Sequence, residues 1–107
     1  HCWFMIHSVA LNYPKLNPTN EDKRHYQDFY NNLRYVLPCP TCCKNYKKHL
    51  KELPITDEVL SSRRSLFNWT VEIHNKVNTM KHRSTYTPDR ILEKLSRRYN
   101  VSKYDLL

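Results

Sequence analysis

Residues 62–81 read SRRSLFNWTVEIHNKVNTMK, and within them Leu66, Trp69, Ile73, Val77 and Met80 recur at three- and four-residue steps. That period puts the apolar side chains on one face of a helix, against the strict alternation of a half-buried strand. The same signal extends outward along the chain. Tyr26, Phe29, Tyr30, Leu33 and Leu37 form a second stripe on a helix expected from about Asn20 to Val36. Its first turn carries Glu21 and Asp22, where carboxylates favour the positive end of the helix dipole. A first helix is expected over His1 to Leu11, ended by Asn12-Tyr13-Pro14. Pro38-Cys39-Pro40 breaks the second helix and opens a third that runs to about Leu50, with Pro54 closing it. Thr56 is expected to cap a short helical turn, and Thr87-Pro88 pairs a cap with a proline at the first position of a last helix, Pro88 to about Arg98. The expected fold is all-α: a four-helix bundle with a short additional fifth helix.

A chain of 107 residues fits one domain with one core, 1–107. It begins at His1, already inside an apolar helical segment, so the sequence is expected to be a fragment of a longer protein. No uninterrupted apolar run approaches membrane-spanning length, and no membrane partner is expected. There is no glycine, which removes Gly-rich phosphate loops, G-x-G-x-x-G turns and primed hairpins from consideration. Any nucleotide cofactor must be held by helices and side chains. The formal charge of +8 suits an anionic partner, and the densest basic cluster is Lys44, Lys47, Lys48 and Lys51, just after the cysteines. A soluble basic surface is the plainer explanation, and charge alone does not identify a function.

Chemistry concentrates at the cysteines. Cys39 and Cys42 are separated by Pro40 and Thr41. With Pro40 as the first helical residue, Cys39 lies at the cap and Cys42 in the first turn, where free N–H groups and the dipole stabilise a thiolate. A disulfide closing so short a loop adds little stability, so a redox role is favoured over a structural one. The competing reading is a zinc-stabilised helical interaction module, with the CxxC and His25, His49 or His74 as ligands. The usual second close pair of Cys or His is absent, so no metal site is assigned. A basic nucleic-acid-binding helical domain is a third reading, though no nucleic acid is expected. Cys43 points about 100° away from Cys42 around the helix, as a buried or bystander thiol, and Cys2 is left unpaired.

The long helix carries a second constellation. His74, Asn78 and Lys81 stand at i, i+4 and i+7 beside the apolar stripe. Together with an aromatic ring they suit a heteroaromatic group and phosphate. On this helix alone, polar residues flanking a core stripe explain the pattern equally simply.

Taken together, these motifs resemble the Erv/ALR family of FAD-linked sulfhydryl oxidases. Trp3, His7, Ala10 and Tyr13-Pro14 look like that family's first-helix signature. Phe29 and the Leu37-Pro38-Cys39-x-x-Cys42 stretch look like its second helix and redox centre, and Trp69 with His74-Asn75-x-Val77-Asn78 like its cofactor-binding segment. The resemblance spans residues 3 to 83 and implies FAD held inside a helical bundle beside the CxxC. It makes Cys39 and Cys42 the catalytic pair, with Cys42 next to the flavin and Cys39 meeting substrate. It implies cofactor contacts from Trp3, His7, Tyr13, Cys42, His74, Asn75, Val77 and Asn78, with Arg83 or Lys81 near the phosphates. Implied partners are thiol-containing proteins or a thioredoxin-like carrier, oxygen as electron acceptor, and a second copy in a homodimer packed through the first helices. No cysteine follows Cys43 and there is no second CxxC. This pared-down pattern most resembles the forms encoded by large DNA viruses, for which host cytoplasm or virion is the expected setting.

Overall fold

The structure, a computed structural model, describes residues 2–107. Its elements are α1 (Cys2–Ala10), α2 (Asn20–Val36), α3 (Pro40–Glu52), a 3-10 turn (Val59–Ser61), α4 (Arg63–Met80), α5 (Pro88–Tyr99) and α6 (Lys103–Leu106). No strand occurs among the described residues. Five helices therefore fall where the apolar periodicity predicts them.

The boundaries follow from local side-chain chemistry. Thr19 and Asp22 close a reciprocal capping box at the start of α2. Ser62 caps α4 and Thr87 caps α5, each accepting from the backbone N–H three residues on. Thr56 Oγ1 accepts from Val59 N–H at 3.2 Å across the turn that leads into the 3-10 turn, whose own N-cap position is Glu58. Left-handed backbone occurs at three places among the described residues, and this glycine-free chain fills them with Asn17, His82 and Asn100. Asn100 ends α5, and Val101 N–H returns to the Ser96 carbonyl at 3.1 Å.

Helix α6 was not expected. A single four-residue turn is too short to carry a periodic signal, and tertiary contacts hold it. Lys103 Nζ reaches the Asp89 carboxylate at 3.1 Å and 3.2 Å, and Leu106 and Leu107 pack against the core.

Helix α4 is the central element, packed by α1, α3, α5 and the 3-10 turn. Leu66, Phe67, Trp69, Thr70, Val71, Ile73, His74 and Asn78 are all buried along it. Trp69 meets Tyr30 edge-on at 5.3 Å, and its indole N–H donates to the Leu53 carbonyl at 3.1 Å. Tyrosine hydroxyls then stitch the helices together. Tyr30 donates to the Ile6 carbonyl at 2.9 Å, and Tyr46 donates to the Tyr30 carbonyl at 2.6 Å. Burial pushes both phenols above their usual range, so they remain donors at any physiological pH. Met80 departs from expectation: it is 38% exposed, at the mouth of a cleft rather than in the core.

Trp69→Ala should lower the unfolding free energy by roughly 3–5 kcal/mol, while Glu72→Ala on the exposed face of the same helix should change it by less than about 0.5 kcal/mol. Denaturant melts of the two variants check this directly. Equal effects would show that α4 does not organise the core.

Candidate functional site

Cys39 is the N-cap of α3, in extended backbone, with Pro40 at the first helical position. Its Sγ accepts from Cys42 N–H at 3.0 Å and is bonded to Cys42 Sγ, with the two Cα atoms 5.2 Å apart. The pair therefore sits where the unpaired N–H groups of a helix start stabilise negative charge on sulfur. Cys43 lies outside the pair, and its thiol donates to the Leu37 carbonyl at 3.3 Å. Cys2 and Cys43 are free and half-buried. With Cys39 and Cys42 bonded to each other, both sulfurs that the zinc reading would use are engaged, and that reading is not favoured.

Cys42 opens onto a small, partly enclosed cleft of about 100 Å³ between α1, α3 and α4. Trp3, Ile6, Leu37, Tyr46, Val77 and Met80 give it apolar and aromatic walls, and Asn45 and Lys81 supply its polar groups. Of the residues expected at the site, this cleft gathers Trp3, Cys42, Val77 and Lys81. Cys2, Asn45, Tyr46 and Met80 also line it, and sequence reasoning did not assign them to the site. The three-to-four spacing of Cys42, Asn45 and Tyr46 on α3 is the signal that would have found two of them.

Trp3 also forms a wall of a second cleft, shared with Phe4, His7, His74, Tyr86 and Lys94. Its indole lies nearly parallel to the His74 ring, 7° between planes and 4.2 Å between centroids. Behind this stack runs a buried hydrogen-bond chain. The Thr70 hydroxyl donates to the Phe67 carbonyl at 2.6 Å, which spends its only proton. Thr70 Oγ1 must then accept from His7 Nδ1–H at 2.9 Å. His7 Nε2 in turn accepts from His74 Nδ1–H at 2.9 Å. A carbonyl at one end thus fixes both tautomers and leaves His74 Nε2 as an acceptor. Burial holds both rings neutral: His7 is lowered to about 3, with His74 adding a smaller push, and His74 is lowered to about 4, with Lys94 adding to the effect.

The two asparagines act on the loop after α4. The Asn75 amide donates to the Tyr86 carbonyl at 2.7 Å and accepts from Tyr86 N–H at 2.8 Å. The Asn78 side-chain amide donates to the Ser84 carbonyl at 3.1 Å, and the Asn78 backbone carbonyl accepts from Arg83 N–H at 2.7 Å. Both ends of the Asn75 amide are therefore engaged within the chain, and it shapes the second cleft by holding Tyr86. Arg83 is exposed and lines neither cleft. Tyr13 is likewise not brought to them. It is fully buried, its hydroxyl donates to the Leu60 carbonyl, and its ring meets Tyr26 edge-on, so here it packs the core. Lys94 and Tyr86 come from outside the recognisable motifs; the packing of α5 on α4 places Lys94, and the Asn75 amide holds Tyr86.

Fold and site together define a small helical bundle that carries a helix-capping CxxC disulfide in the wall of an aromatic cleft. Residues 1–99 match the Erv1 / Alr family, and the chain belongs to it. It is 56% identical over 86 residues to a probable FAD-linked sulfhydryl oxidase of Acanthamoeba polyphaga mimivirus, a match covering 78% of this chain and 59% of that protein. It is 37% identical over 76 residues to the mitochondrial FAD-linked sulfhydryl oxidase ERV1 of Saccharomyces cerevisiae, covering 71% of this chain and 38% of that protein. The chain thus spans less than two thirds of the length of these relatives. Among solved structures, the FAD binding domain of Erv1 from Saccharomyces cerevisiae superposes with a TM-score of 0.71 at 32% identity, covering 82% of this chain and 80% of that one.

Because both imidazoles stay neutral when folded but titrate near 6.5 when unfolded, the unfolded chain binds more protons below pH 6.5. The stability of the His7–His74 pair is present above pH 6.5 and is lost as pH falls toward 4. The slope approaches roughly 1.4 kcal/mol per pH unit for each ring. Thermal melts between pH 7 and pH 5 should therefore show a falling Tm, and a flat profile above the carboxylate range would contradict the neutral pair. Asn75→Ala, which frees both polar groups of Tyr86, should cost roughly 1–3 kcal/mol in a denaturant melt.

Proposed function

We propose that this domain is an FAD-dependent thiol oxidase that makes disulfides in dithiol substrates, using oxygen as the final acceptor. The observation that carries the reading is the position of Cys42: one sulfur of a helix-capping disulfide lines an aromatic cleft in a bundle of the Erv1 / Alr family. The names of its relatives, FAD-linked sulfhydryl oxidases, support the same conclusion.

The chemistry present fits the cofactor. Trp3, Tyr46 and Val77 offer flat and apolar surface to a ring system, Lys81 offers a cation to phosphate, and His74 Nε2 offers an acceptor. Trp3, Cys42, Val77 and Lys81 would hold FAD directly. His7 and Thr70 fix the His74 ring, and Asn75 and Asn78 fix the loop beside it. When bound, FAD takes the electron pair from the reduced cysteines and passes it to oxygen, giving hydrogen peroxide.

The cysteines do the exchange chemistry. A substrate thiolate attacks Cys39 Sγ, the bond to Cys42 breaks, and Cys42 leaves as a thiolate in the first turn of α3. A second substrate thiolate attacks the substrate sulfur of the mixed disulfide and releases Cys39, whose sulfur is met by Cys42 N–H. The substrate departs as a disulfide, and two electrons remain on the Cys39–Cys42 pair beside the cleft. Substrates of this kind are cysteine-bearing proteins or a thioredoxin-like carrier. The reading includes a homodimer through α1 and α2, supported by an α1 that is nearly all apolar and leaves Met5 40% exposed.

Purified domain should be yellow, with flavin absorbance, and should oxidise dithiothreitol with release of hydrogen peroxide. Cys42→Ser and Cys39→Ser should each lower turnover by at least about 100-fold while flavin absorbance is retained. A colourless domain that binds no added FAD, or a serine variant with wild-type turnover, would sink the assignment. Light scattering at micromolar concentration should give a dimer; a monomer would remove the α1–α2 interface.

A further inference from the structure

Resting on the oxidase reading above, we infer that the disulfide selects cysteines in acidic surroundings, because α3 presents a carboxylate-free row of lysines that leads away from Cys39. Lys44, Lys47 and Lys51 stand at i, i+3 and i+7 on α3, which places them on one face of the helix that Cys39 caps. All three are exposed, and among the described residues none of them forms an ion pair. The one carboxylate of α3, Glu52, is held by Lys76 of α4 at 3.1 Å.

The row also has a wall. Lys47 and Lys51 line a groove between α2 and α3 together with Arg34 and the amides of Gln27 and Asn31, and no acidic residue lines it. Arg34 lies over the Tyr35 ring at 4.8 Å, and its Nε is buried without a hydrogen-bond partner. Tyr35 and Val36 are 64% and 68% exposed just before the cysteines. The surface beside the disulfide therefore pairs apolar contact with unpaired cations. A folded domain does not hold several like charges together for its own stability; like charges repel, and they draw in counter-charge. Cys42 and its cleft lie on the other side of α3, so the row is free to meet a partner while the cleft is filled.

The length of the row sets the spacing of the partner's charges. From Cys39, the lysines lie roughly 8 to 18 Å along the helix axis at about 1.5 Å per residue. An extended chain covers that distance in about two to six residues. The preferred substrate is thus a cysteine-containing segment with Asp or Glu about two to six residues from the reacting cysteine.

The test uses the FAD-loaded domain and three dithiol peptides that differ only in flanks of Glu, Gln or Lys. At about 20 mM salt the Glu peptide should show kcat/KM roughly 10-fold above the Gln peptide and higher still above the Lys peptide, and the advantage should collapse at about 500 mM salt. The triple variant Lys44→Glu, Lys47→Glu, Lys51→Glu should invert the order while dithiothreitol oxidation stays at the wild-type rate. The Gln triple variant should abolish the preference without inverting it. Binding of labelled Cys→Ser versions of the peptides, read by fluorescence anisotropy, decides the matter independently of turnover. Equal binding of the Glu and Gln peptides overturns the inference, even if dithiothreitol is oxidised normally. An acid preference that survives the triple variant also overturns it. A short oligonucleotide that binds through the three lysines, with no preference among the peptides, would assign the row to nucleic acid and overturn it as well. Failure to oxidise dithiothreitol would count against the oxidase reading and leave the binding result to judge this one.

Discussion

The burial of α4 is the constraint on which the rest depends. Its apolar residues leave only a narrow exposed strip, so α1, α3, α5 and the 3-10 turn must all find a place against it. A helix covered on so many sides is a core element, and the amphipathic α2 and α3 are stable because they close over it. The same burial explains the tyrosines. Tyr30 and Tyr46 lie deep enough that each hydroxyl needs a partner, and the available partners are backbone carbonyls of neighbouring helices. Those bonds fix how α1, α2 and α3 sit relative to one another.

Once α1 and α3 are pinned on α4, the clefts follow. Trp3 from α1 and Cys42 from α3 face each other across Val77 and Met80 of α4. The helix that orders the core therefore also supplies the floor of the site. His74 and Thr70 face α1 from this helix, and His7 completes the chain between them. Burial that would be costly for a charged imidazole is tolerable because every ring nitrogen facing inward has a defined partner. A rigid, neutral His74 under the Trp3 indole is a preorganised surface, and holding it there uses interactions that the core already provides.

The charge distribution is separated from this interior. The clefts are lined mostly by apolar and aromatic groups, whereas the lysines of α3 lie on its outward face. One helix thereby carries three tasks on three faces: a thiol at the cleft, Tyr46 and Leu50 in the core, and cations toward solvent. Angular spacing on a single helix is enough to keep them apart.

Much of this was legible in the sequence. The apolar stripes fixed the helices, the caps fixed most of their ends, and Cys39-Pro40 fixed the disulfide at a helix start, because these are local properties of backbone sterics and hydrogen bonding. Family motifs single out Trp3, His74 and Val77, and helical spacing singles out Lys81; the structure sets these four along the two clefts. Other features depended on where distant residues meet, and only tertiary structure decided them. Tyr13 stands within a first-helix motif, yet the turn after α1 buries it under Leu60. In sequence the Asn75 amide suits a ligand and the chain equally, and the structure engages both its polar ends with Tyr86. Lys94 and Cys2 carry no local mark of a site at all. The four residues of α6 are too few to hold a helix by propensity, and they are ordered by Asp89 and by the edge of the core. Sequence determined which elements form, because that depends on neighbours three or four residues away; packing decided which side chains share a cleft, because that depends on partners up to 67 residues apart, as His7 and His74 are.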